Sequence, residues 1–88
     1  MSVEDLLKRG QIKHDLKILP QYFELVSLGV KNFEIRKDDR DFKANDTFVL
    51  REWDGEKYTG RCFIQSIRYV LRNCPEYGLK EGYCIFSW

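Results

Sequence analysis

The amino-acid sequence predicts one α+β domain that is mainly β. Apolar residues recur with a period of two in several separated segments, which is the pattern of half-buried strands. Asp54-Gly55 sits between two such segments as a hairpin signal. Only one internal stretch, bounded by Pro20 and Gly29, carries helical spacing. The length of 88 residues leaves room for a single core, because a chain of this size buries only roughly 60 to 65% of the surface it exposes unfolded.

Taken in order, Ser2 followed by Asp5, Leu6 and Leu7 is a weakened capping box, and Gly10 stops a short helix, so residues 1–11 form an N-terminal helical extension. From Ile12 to Leu19 the pattern suits a strand, with His14, Leu16 and Ile18 on one face and Lys13, Asp15 and Lys17 on the other. Pro20 ends that strand and opens a helix of about two to three turns carrying Tyr22, Phe23, Leu25 and Val26, with Gly29 in the C-terminal position.

Between Asn32 and Lys37 the period returns to two. Phe33 and Ile35 are expected to grip the interior, leaving Glu34 and Arg36 on an exposed face. Asp38 to Asp41 reads as a loop and Ala44-Asn45-Asp46 as a turn, since Asn and Asp tolerate left-handed backbone. A strand over Thr47–Trp53 follows, then a long return strand from Tyr58 through Val70, bent around a small barrel with Gly60 marking a bulge or a close approach. Asn73, Pro75, Gly78 and Gly82 allow at most one turn before a closing strand at Tyr83–Trp88.

Composition narrows the function classes. The formal net charge of +1 exerts no global pull on nucleic acid, so an anionic partner must be met by a local patch. Cys62, Cys74 and Cys84 form no C-x-x-C pair, and the lone His14 completes no zinc spacing, so neither metal nor cofactor is expected and free thiols suit a reducing cytoplasm. No run approaches the roughly 20 apolar residues that span a bilayer, and the chain reads as neither secreted nor membrane-embedded.

The most chemically loaded stretch is Gly29-Val30-Lys31-Asn32-Phe33-Glu34-Ile35-Arg36, which sets a helix end, a cation, an anion and a second cation among apolar anchors. A guanidinium there can grip a phosphate or a base edge two-pronged, with Glu34 orienting it or accepting from a base amine and Lys31 adding a point charge. The same spacing also describes an ion pair on a solvated surface, worth about 0 to 1 kcal/mol.

Gly29, Lys31, Glu34 and Arg36 match the G-x-K-x-x-E-x-R signature of the ASCH (activating signal cointegrator homology) domain, a relative of the PUA-like barrels. The stretch His14-Asp15-Leu16-Lys17-Ile18, then Pro20, Tyr22-Phe23, Asp46 and Leu50-Arg51-Glu52-Trp53, resembles the small bacterial and phage branch described as DUF3850, and the similarity runs from His14 to about Ile85. The resemblance implies a single ASCH/PUA-like domain over 1–88, with a β-barrel of five to six strands, one or two flanking helices, and a signature-lined cleft for RNA. Asn45 stands where relatives commonly carry Gly, a tolerable swap because Asn accepts left-handed backbone. ASCH relatives that hydrolyse acylated cytidine resemble this chain at Lys31 but use Thr where Glu34 stands, so their mechanism does not transfer intact.

The leading expectation is an RNA-binding or modified-nucleotide-binding module. Lys31, Glu34 and Arg36 form its site, with His14, Lys17 and Tyr22 as further candidates. His14 also reads as a hydrogen-bonded core residue, Lys17 as solvated though the resemblance sets it near the cleft, and Tyr22 and Trp53 as core aromatics or stacking platforms. Glu52 and Arg61 face each other across the hairpin as a possible pair, and Cys74-Pro75 marks a turn. The rival is an enzyme, a ribonuclease or amidohydrolase-like hydrolase with Lys31 or Glu34 as general base. A protein-interaction module is the third reading, and oligomeric state is not encoded in any motif.

Overall fold

The computed structural model describes residues 2–88. The short helix α1 (Val3–Lys8) begins where Ser2 Oγ accepts from the Asp5 amide at 3.2 Å. It ends in a Schellman turn, with Gly10 N bonded to Leu7 O and Gln11 N to Leu6 O. Strand β1 (His14–Ile18) buries His14, Leu16 and Ile18, the face its alternation indicates. Helix α2 (Pro20–Ser27) has Pro20 in its first turn and buries Phe23 and Val26, while Tyr22 and Leu25 on its flank remain exposed.

Strands β2 (Phe33–Lys37), β3 (Thr47–Trp53), β4 (Tyr58–Ser66), β5 (Tyr69–Leu71) and β6 (Tyr83–Ser87) complete the set, with one 3-10 turn at Pro75–Tyr77. They form two three-stranded sheets, ordered β1-β3-β4 and β2-β6-β5. β1 runs parallel to β3, and every other pairing is antiparallel. One core joins the sheets: Leu16, Ile18, Phe48 and Leu50 from the first meet Cys84 and Phe86 from the second, with Phe23 and Val26 of α2, Phe42 and Ile67 closing the gaps. Aromatic rings supply much of the filling, as Phe86 lies 5.1 Å from Phe42 and 5.0 Å from Phe48.

Three expectations are corrected. In place of the expected continuous sheet, the described strands form two separate three-stranded sheets, and no closed barrel is found among the described residues. The return strand is not continuous from Tyr58 to Val70: it breaks at Ile67-Arg68, where Ile67 N bonds Asp46 O and Arg68 N bonds Ser87 O, carrying the chain from one sheet to the other. No Gly or Pro marks that crossing, so local sequence gave no sign of it.

The third correction concerns β2. Glu34 is buried at 6% exposure, whereas Phe33 and Ile35 are 41% and 56% exposed. The alternation was real, but its direction is reversed because the carboxylate meets two cations beneath the strand. Gly60, with φ of 98°, lies opposite the register shift between Arg51 and Trp53, as the expected bulge requires. Among the described residues no helix is long and apolar enough to cross a membrane.

Candidate functional site

β1 and β2 are edge strands of different sheets, and a cleft of about 510 Å³ opens between them against the start of α2. Gly29 prepares one wall. With φ of 74° it ends α2 in a second Schellman turn, Gly29 N bonded to Val26 O and Val30 N to Leu25 O, and the Lys31 amide also bonds Leu25 O. That double closure turns the chain sharply from helix to strand and aims Lys31 back toward β2.

Glu34 is the centre of the site. Its Oε1 accepts from Arg36 Nε at 2.9 Å and Nη2 at 2.6 Å, while its Oε2 accepts from Lys31 Nζ. Lys31 Nζ also donates to Phe33 O at 2.6 Å, and Arg36 Nη2 donates to Lys17 O at 2.6 Å. The carboxylate side chain is 8% exposed against 15% for Lys31 and 24% for Arg36, so the anion is sealed below two cations that face the opening. A buried carboxylate without partners would cost several kcal/mol, and the pair of cations meets that demand. Arg36 Nη1 has no hydrogen-bond partner among the described residues and remains a donor for an incoming acceptor.

Of the residues singled out from sequence, Lys17, Tyr22, Lys31, Glu34 and Arg36 all line the cleft. Lys17 is not simply solvated: its Nζ sits 3.9 Å over the Trp53 ring. Tyr22 is 47% exposed, with Lys31 Nζ 5.9 Å from its ring. His14 lies elsewhere. It is buried, its Nε2 is 2.9 Å from Asp46 Oδ2, and its ring packs 4.5 Å from Phe42, which is the core alternative. Trp53 packs edge-on to Tyr58 beneath Lys17 rather than opening onto the cleft. The Glu52–Arg61 pair forms at 3.8 Å, with Glu52 also accepting from Thr59 Oγ1 at 2.6 Å.

Three contributors were missed. Phe33 and Ile35 form part of the cleft wall, an outcome hidden by assigning them inward. The Lys17 backbone carbonyl is the second anchor for Arg36, and the only sequence sign of it is that β1 ends at Pro20 with no hairpin partner following. A neighbouring bridge repeats the device, since Arg40 Nη1 donates to Asp15 O at 2.8 Å. Arginines thus span the seam where a strand ladder is lacking.

A protein-family model described as "Domain of unknown function (DUF3850)" matches residues 13–88. The chain is also similar to an "Uncharacterized 12.9 kDa protein in GpA 3'region" of Escherichia phage P2, with 44% identity over 48 residues. That match covers 54% of this chain and 44% of the phage protein, so the chain spans less than half the length of this relative.

Proposed function

The chain belongs to the DUF3850 family, and from that premise we propose that it is an ASCH-type, PUA-related module that holds a nucleotide of single-stranded RNA in the cleft between β1, β2 and α2. One observation carries the reading: three cationic residues line the cleft, two of them bonded to a single sequestered carboxylate, with two half-exposed aromatic rings on the same walls. Lys17, Lys31 and Arg36 against Glu34 leave a local charge of +2, although the whole chain is only +1. Charge concentrated in a concave site attracts phosphate where global charge does not.

The division of labour follows from the bonds. Glu34 positions both cations; Arg36 offers Nη1 and its exposed edge to a phosphate or base acceptor. Tyr22 and Phe33 offer ring faces for a base, a mode of recognition suited to unstacked RNA. The cleft volume of about 510 Å³ falls in the range of small-ligand sites. An enzyme with Lys31 or Glu34 as general base has no comparable support, because the amine and the carboxylate are spent on each other.

Titration of short single-stranded RNAs by fluorescence anisotropy at several salt concentrations tests the proposal. Wild type is expected to bind with a negative salt slope, and Tyr22→Ala, an exposed change that spares the core, to weaken binding by about 1 to 3 kcal/mol, or roughly 5- to 150-fold. Absent binding by wild type, or equal affinity for the two proteins, overturns it.

A further inference from the structure

The outer side of the β2-β6-β5 sheet is largely apolar. The inner side contributes Cys84 and Phe86 to the core. On the outer side, the register sets Phe33, Ser87 and Tyr69 in one row, Ile35, Ile85 and Leu71 in the next, and Lys37 beside Tyr83. An antiparallel sheet facing water ordinarily alternates apolar and polar residues, with the polar ones outward. Here the outward set is left uncovered, with Tyr69 63%, Ile35 56% and Leu71 38% exposed. Neither helix serves this face: α2 packs on β3, and α1 reaches the other sheet through Glu4, 3.4 Å from Arg51.

We propose that a second copy of this chain covers the outer face of β2-β6-β5, forming a weak two-fold dimer. The exposed apolar surface amounts to about 400 Å² per copy, comparable to the largest patch on a typical monomer, which is often functional. Pairing two such faces hides about 800 Å² of apolar surface, below the span of stable specific interfaces, and so gives weak, reversible association. Charge permits it as well. The face carries Lys37 and no carboxylate, and either in-plane two-fold axis through Ile85 carries Lys37 away from its own mate, so like charges do not meet. Because Phe33 and Ile35 border both this face and the cleft, the dimer edge adjoins the cleft mouth.

Sedimentation equilibrium over a wide concentration range is the test, using Tyr69→Glu and Leu71→Glu, two positions outside the cleft lining. Wild type is expected to show a reversible monomer–dimer equilibrium, and each variant to raise the dimer dissociation constant at least about tenfold with an unchanged circular dichroism spectrum. Wild type that stays monomeric at its highest attainable concentration, or dimerisation unaltered in both variants, overturns the proposal. So does a monomeric wild type whose RNA binding is lost in Tyr69→Glu, an outcome that would assign the face to nucleic acid.

Discussion

Arg36 of one sheet donates from Nη2 to the backbone carbonyl of Lys17 on the other, at 2.6 Å, across a seam with no strand ladder. The same guanidinium makes two hydrogen bonds to buried Glu34. A residue that sequence marks as a ligand contact is therefore also a structural tie, and the two roles need separate measurements.

Removing that tie should be costly. Arg36→Ala leaves Glu34 with one cation and the seam with one bridge fewer, and is expected to lower unfolding free energy by about 2 to 4 kcal/mol in urea titrations. The double variant Arg36→Met/Glu34→Leu should recover much of this, since it removes the uncompensated buried charge. A loss below about 0.5 kcal/mol in the single variant would mean the network is a loose surface pair.

His14 should behave as a core residue. Its ring fills space beside Phe42, and Asp46 Oδ2 joins it to the turn, where the same oxygen accepts from the Lys43 amide at 3.0 Å. His14→Ala is expected to cost about 2 to 4 kcal/mol through the cavity and the lost partner. RNA affinity, corrected for the folded fraction, should stay within about twofold of wild type. A large selective loss of affinity without destabilisation would restore His14 to the ligand site.

Gly29→Ala should destabilise by about 1 kcal/mol although a methyl group there meets no atom within 4 Å. The penalty is conformational, from φ of 74°, so Gly29→Asn should cost less than Gly29→Ala. Equal thermal midpoints for the three proteins would contradict this account of the helix stop.

The thiols divide by burial. Cys62 is exposed while Cys74 and Cys84 are buried, so a thiol reagent should label one site per native chain and all 3 cysteines after unfolding. Burial, with Asp38 adding to it, pushes the Cys84 thiol above its ordinary 9.0. A raised thiol pKa means the unfolded chain loses its proton first, so this contribution is intact below pH 9.0 and declines as pH rises toward the folded value. Urea midpoints at mildly alkaline and strongly alkaline pH should therefore diverge more for wild type than for Cys84→Val; identical pH dependence would remove Cys84 as a cause.

Much of the fold is legible locally. Ser2, Pro20 and Gly29 mark helix ends, Asn45 marks a turn with φ of 76°, and the strand at Thr47–Trp53 has the bounds its pattern indicates. The candidate site was legible as a set of residues, since Lys31, Glu34 and Arg36 do converge. What could not be read was the crossing at Ile67-Arg68. Its cause is a set of distant backbone partners, Asn45, Asp46 and Ser87, rather than any breaker within the segment.

By itself, the order of residues determined where helices stop, where turns fall, and that Glu34 and Arg36 share one side of β2. Only the assembled sheets decided which side that is. Alternation specifies that neighbours point oppositely, and it is silent on direction; direction depends on what lies across the strand. Here Lys31 and the Lys17 carbonyl supply partners that make a buried carboxylate and a half-buried guanidinium tolerable. Phe33 and Ile35 are thereby turned outward, and the same event creates both the charged cleft and the apolar face beside it.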